Sequence, residues 1–173
     1  MVSAGDSGPD VADDGNKYST SGITASSFST PAWNVSAGGT DFQDTYNGLE
    51  GDLAFGIDTY WNSSNGTGLG SAKSYIPEMT WNDTCASSIY NSWEEGMSAD
   101  GAKQCSVEAS PYLAAGGGGP SKLYTRPSWQ TGTVYGLPTT SAYPNRLEPD
   151  VSLFAANGFW DHDLPLYLSL IHI

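Results

Sequence analysis

Positive charge is scarce in this chain. Six Lys and Arg residues stand against 19 Asp and Glu, a formal charge of −13 at pH 7. That deficit argues against a nucleic-acid partner, because phosphate binding needs clustered Lys and Arg. The same deficit argues against docking on an anionic membrane surface. Long hydrophobic runs are missing too, and none approaches the ~20 residues of a membrane span. Histidine occurs only at His162 and His172, and cysteine only at Cys85 and Cys105. No export signal separates Met1 from the motif-like text that starts at Val2.

What is abundant is Gly, Ser, Thr, Asn and Tyr, with charged residues at only 14%. That is the composition of a secreted, extracellular surface, and a secreted protein without its export signal is expected to be a fragment of a longer one. The acidic balance serves either plain solubility or work in acid, where carboxylates protonate and the net charge shrinks. At 173 residues the chain is long enough for one domain with a sizeable core. Both cysteines sit in polar text, "WNDTCASS" and "AKQCSVE". In an exported protein they are expected to form a disulfide, worth roughly 3 kcal/mol on the chain-entropy model. Asn-x-Ser/Thr sequons fall at Asn34, Asn62, Asn65 and Asn82. They matter only in a glycosylating host.

Along the chain, "MVSAG" reads as the end of a buried strand that turns at Gly5. Asp10, Asp13 and Asp14 form an acidic cluster without the spacing that wraps calcium, so a solvated loop is expected there. Trp33, Val35 and Ala37 alternate with Asn34 and Ser36, which predicts a strand ending at Gly38-Gly39. "ASSIYNSWEEGMSADGA" is the best helix candidate, interrupted by Gly96. "AAGGGGPSK" departs from a phosphate-binding loop because Pro120 and Ser121 intervene; a flexible or close-approach backbone fits better. "RPSWQTGTVYG" reads as a helix start or loop, and "EPDVSLFAA" as a strand with Pro149 at its beginning. Val2–Gly5, Asn34–Ala37 and Asp150–Phe154 are expected to share one mainly parallel sheet.

The opening stretch "VSAGDSGPD" contains the Gly-Asp-Ser-Gly of trypsin-like proteases. That reading needs a histidine and an aspartate upstream of the serine. No histidine precedes Ser7, and the polar text after the motif replaces an apolar strand. Ser7 is therefore not expected to be a nucleophile. A stronger pattern is the ordered set "VSAGDSG", "FSTPAWNVSAGGT", "GGGGPSKLYTRPSWQTG" and "RLEPDVSLFA", with "YIPEMTWNDTC" between them. In that order these resemble the sedolisins, secreted serine-carboxyl peptidases on a subtilisin-like fold, and the resemblance runs from Val2 to about Trp160.

The resemblance implies an α/β fold, a parallel sheet with flanking helices and long Gly/Ser/Asn-rich loops. It places a partial peptidase domain at residues 1–160 and leaves 161–173, "DHDLPLYLSLIHI", as a non-native tail. It also implies that Asp6 is the oxyanion-hole residue and that the backbone of Ser3, Ala4 and Gly5 lines a pocket for a peptide or protein substrate. The chemistry agrees, since a developing oxyanion must meet a pre-aimed donor and a carboxyl group donates only when protonated. The plainer alternative for Asp6 is a cap on the turn after the strand. The nucleophile motif Gly-Thr-Ser and the Glu/Asp base pair do not occur, and the family's calcium site would fall beyond Ile173. No metal site is expected within the chain, because Asp161-His162-Asp163 falls short of a ligand set. From another class comes an extracellular glycan-binding β-domain, resting on 6 Trp and 10 Tyr among many Asn, Gly and Ser.

Overall fold

Strand β2, Ser36–Phe42, is the axis on which the larger unit of the molecule is built. A computed structural model of the chain describes residues 1–13, 20–42, 60–88, 91, 98, 100–107, 114–131 and 137–156. Strand β1, Val2–Ser3, pairs with β2 in parallel, Val2 opposite Ser36 and Ser3 opposite Ala37. β3, Glu78–Thr80, leads into Trp81, whose N–H donates to the Gly39 carbonyl at 3.3 Å. Farther along come a hairpin of β4, Gly119–Thr125, and β5, Asn145–Glu148, which are antiparallel. β6, Val151–Phe154, pairs with β2 in parallel, from Ala37 opposite Val151 to Thr40 opposite Phe154.

The carbonyls of β2 divide by parity. Ala37 and Gly39 accept from Ala4 and Trp81 on one edge, while Ser36 and Thr40 accept from Asp150 and Ala155 on the other. Thus β1 and the Trp81 segment share one edge of β2, end to end, and β6 takes the opposite edge. This is a mixed α/β arrangement with a parallel sheet and, among the described residues, few helical turns.

The parallel sheet expected from Val2, Ala37 and Val151 is therefore present, but β2 is displaced from its expected bounds. It begins at Ser36 and runs through Gly38-Gly39 instead of ending there. Neighbours explain the tolerance for glycine: Pro149 and Ser152 press on Gly38, and Trp81 and Ala155 on Gly39, where a Cβ would crowd them. Trp33, expected inside that strand, lies before it and is 93% exposed. The stretch expected as one strand, "EPDVSLFAA", is divided. Glu148 ends β5, Pro149 and Asp150 make the joint, and β6 follows.

One α-helix, α1 at Gly101–Val107, is described in full. Within the candidate helix Ala86–Ala102, Ser88 and Asn91 are helical and the Asn91 N–H donates to the Ser87 carbonyl at 3.0 Å; much of that candidate lies outside the described residues. Asp100 caps α1, its carboxylate accepting from the Lys103 N–H at 3.2 Å. Cys85 and Cys105 are joined, with their Cα atoms 5.1 Å apart, so the turn at Thr84–Ser87 is tied to α1. The bond closes a loop with a sequence separation of 20, worth about 3 kcal/mol on the chain-entropy model.

Contacts divide the chain into two units. The first, Met1–Asp41 with Thr80–Ala155, has a core of few apolar side chains: Ala4, Trp81, Ala114, Ala115 and Leu147. The most deeply buried large side chains in it are polar, Arg146, Asn91, Asp41 and Asp83. The second unit, of which residues 42, 60–79 and 156 are described, centres on Trp61 and Ile76. The Phe42 ring meets Trp61 edge-on at 5.2 Å. Residues 161–173, including Asp161, His162 and Asp163, lie outside the described residues.

Candidate functional site

The opening stretch leaves the sheet at Ala4. Its N–H donates to the Ala37 carbonyl at 2.7 Å, and its methyl group is fully buried. Gly5 then turns the chain with φ +96°, a conformation that side chains rarely adopt. Beyond the turn, the backbone is held against residues 115–117. The Gly5 carbonyl accepts from Gly117 N–H at 2.8 Å, and the Asp6 carbonyl accepts from Ala115 N–H at 2.8 Å. Gly8 N–H in turn donates to the Ala115 carbonyl at 3.0 Å. Gly117 is the tight point, because a Cβ there would run into the Ala4 and Gly5 carbonyls.

Backbone bonds thus fix the position of Asp6, while its carboxyl group is exposed and engages no other side chain. It does not cap the turn after the strand. Instead Ser3 does the local work there, its hydroxyl accepting from Gly5 N–H at 3.2 Å. Ser7 shares a parallel bridge with Ala115. The residues expected to act together, Ser3, Ala4, Gly5 and Asp6, are contiguous, with Ser3 exposed, Ala4 buried and Gly5 half-buried.

Past Gly117 the same glycine run opens a cleft of about 560 Å³, floored by Gly116–Pro120 and walled by Ile23, Tyr143 and Leu147. Its lining is largely apolar, with the half-buried backbone of Gly116, Gly118 and Gly119 along one side. The expected close-approach backbone at "AAGGGGPSK" is present, and from Gly119 it is also a strand, which the sequence reading did not foresee. A second cavity of about 700 Å³ lies beside Trp33, Val35, Trp129 and Val151. Trp129 sits in the short 3₁₀ turn Ser128–Gln130, within the text expected to be a helix start or loop.

The acidic cluster differs from expectation. Asp13 is buried, and its carboxylate accepts from the N–H groups of Ser21 and Thr20 at 2.7 and 2.8 Å and from the Thr20 hydroxyl at 3.1 Å. The Ser21 and Thr20 backbone donors hold this carboxyl well below the usual range. It is a staple for a loop rather than part of a solvated one; Asp14 lies outside the described residues. Among the described residues no three His, Cys, Asp or Glu side chains converge to hold a metal ion.

Sequence reasoning missed a buried ionic joint at Arg146–Asp150. The Arg146 guanidinium, fully buried, donates to the carbonyls of Ser29 at 3.2 Å and Asn34 at 3.0 Å, and to the Asp150 carboxylate at 2.7 Å. Asp150 also accepts from Ser36 N–H at 2.8 Å and from the Gln130 amide at 3.2 Å. The amide of Gln130 is itself locked on the backbone of Leu147, donating at 2.6 Å and accepting at 2.9 Å. The only signal in the sequence was charge of both signs packed into "RLEPD" in a chain poor in cations.

No protein-family model, curated protein or solved structure matches the chain. No helix among the described residues is long and apolar enough to cross a membrane.

Proposed function

We propose that this chain is the oxyanion-hole side of a subtilisin-like catalytic domain, in a secreted, acid-acting serine-carboxyl endopeptidase of the sedolisin kind. The observation that carries the proposal is the placement of Asp6. Ligands of parallel sheets gather outside the carboxyl ends of the strands, and Asp6 lies just beyond that end of β1. Its backbone is fixed on Ala115, and its carboxyl is free to face a ligand. Fixed position with a free acid group is what an oxyanion donor requires, since preorganisation spares reorganisation during the reaction. A carboxyl group donates only while protonated, so the activity belongs at acid pH. The cleft beside Gly116–Pro120 would take an extended peptide, while its glycines serve the fold, since a Cβ at Gly116, Gly117 or Gly118 would strike the backbone of Gly39, Ala4 or Glu148.

Nucleophile and base are supplied from outside this chain in the proposed mechanism. A serine attacks the scissile carbonyl, the base takes its proton, and Asp6 donates to the developing oxyanion. The tetrahedral intermediate breaks its C–N bond and expels the amine, which takes that proton from the base, and water then hydrolyses the acyl-enzyme to the acid and the free serine. Calcium, which the resemblance implies for the family, enters none of these steps. In the protein encoded by the intact gene, Asp6→Ala is expected to lower kcat for peptide hydrolysis by about 100–1,000-fold. Ser7→Ala is expected to leave it near wild type. Activity abolished by Ser7→Ala and kept by Asp6→Ala would overturn the proposal.

The two exposed indoles, Trp33 and Trp129, beside the 700 Å³ cavity favour a second reading, stacking on a polysaccharide. Retention on an insoluble glycan, lost in Trp33→Ala/Trp129→Ala, would support that reading.

A further inference from the structure

Two carboxyl groups share one guanidinium in the joint between β5 and β6, and the donors are unequally divided. Asp150 accepts from Arg146, Ser36 N–H and Gln130, so its oxygens are well supplied with donors. Glu148 has almost nothing. Its side chain is 1% exposed, its nearest approach to Arg146 is 3.8 Å, and neither of its oxygens has a well-formed hydrogen bond. Three of the five guanidinium N–H donors are held by Ser29, Asn34 and Asp150, and Nε is buried without a partner. The charged groups facing Glu148 are Arg146 on its own strand and Asp150 at the start of the next. From β2 and the turn before it come the hydroxyls of Ser36 and Ser29, which are neutral. The Ser36 hydroxyl is itself buried and without a partner.

We propose that Glu148 is an acid-dependent lock, a carboxyl group that the fold accepts as the neutral acid and whose ionisation loosens the β5–β6 joint against β2. With both carboxylates charged, the buried cluster would hold one positive and two negative charges, and an uncompensated buried charge is strongly unfavourable. As a neutral acid, Glu148 becomes a donor beside the Ser36 hydroxyl, which lacks one. Burial pushes the Glu148 carboxyl above its usual range; the Ser29 and Ser36 hydroxyls and the Arg146 charge oppose this, and the Asp150 charge adds to it. The sign follows from linkage. In the unfolded chain Glu148 ionises near ~4.3, whereas the folded state keeps its proton to higher pH. Stability is therefore full below that value and falls as pH rises toward the folded value. Glu148 also pairs with Gly119, so release of the lock reaches the edge of the glycine cleft.

This inference stands without the peptidase proposal, and unfolding of the 173-residue chain tests it. Between about pH 4 and about pH 7, the wild-type Tm is expected to fall by at least ~3 °C more than that of Glu148→Gln. Parallel Tm profiles for the two chains would overturn the lock. Should Glu148→Gln not fold, the carboxyl ¹³C signal of Glu148 in the wild-type chain decides. Titration above the other glutamates is expected, and titration together with them would overturn the proposal.

Discussion

The opening stretch Gly5–Gly8 and the joint Arg146–Asp150 both hold carboxyl groups in the larger unit, and they treat them in opposite ways. At Asp6 the backbone is tied down and the side chain is left in solvent with nothing to do. At Asp150 the half-buried side chain is set among donors and serves as the tie itself, joining β2, β5 and β6. The difference separates a group held ready from a group used up. A side chain that stabilises nothing, in a position defined by its neighbours, is where function is to be sought. A side chain saturated by its own fold has no capacity left for a ligand.

That contrast can be broken most directly at Arg146. Arg146→Ala would leave the half-buried Asp150 and the buried Glu148 without a cation, and removing one partner of a buried pair costs about 3–5 kcal/mol. Chemical denaturation is expected to show the loss as a lower midpoint; a change below ~1 kcal/mol would mean that the joint is dispensable. Gly117→Ala strikes the other region through its backbone. The added methyl meets the Ala4 and Gly5 carbonyls, and such overpacking costs about 1–3 kcal/mol. An unchanged thermal midpoint would show that the 5–8 segment is not pinned there. Smallest of all is Asp6→Ala, expected to alter stability by less than ~0.5 kcal/mol. A larger destabilisation would place Asp6 among the structural carboxyls and remove the contrast.

The sheet was legible because parallel strands leave an apolar and small-residue trace, as at Val2, Ala37 and Val151. The bounds of β2 were not, because alternation at Trp33 and Val35 imitates a strand while both side chains are exposed. Glycines inside β2 look like a stop until the pressing neighbours, Pro149 and Trp81, are seen in place. The β4–β5 hairpin was missed for a related reason. Strand β4 buries only Ser121 fully and exposes Lys122 to Thr125, so no period of two is written in it. For the site, the Asp6 position at a strand end was readable from the adjacent turn glycine. The ionic joint was not, because Ser36 and Asp150 are 114 residues apart. Local text cannot say which acid will be buried beside which cation.

The register of β2 also has a consequence for the order of events during synthesis. β1 and β2 meet early in the chain, whereas the other edge of β2 waits for Val151–Phe154. At about 5–20 residues per second, the ribosome needs roughly 6–22 s to go from Thr40 to Val151. Through that interval the β2 edge with the Ser36 and Thr40 carbonyls has no β6, and the Ser36 N–H has no Asp150. Pairing across such long sequence separations is slow and leaves strand edges open to other chains. The newborn polypeptide therefore passes through a window in which the backbone groups along one edge of its central strand are unpaired, and factors that pair with an extended strand would find it there.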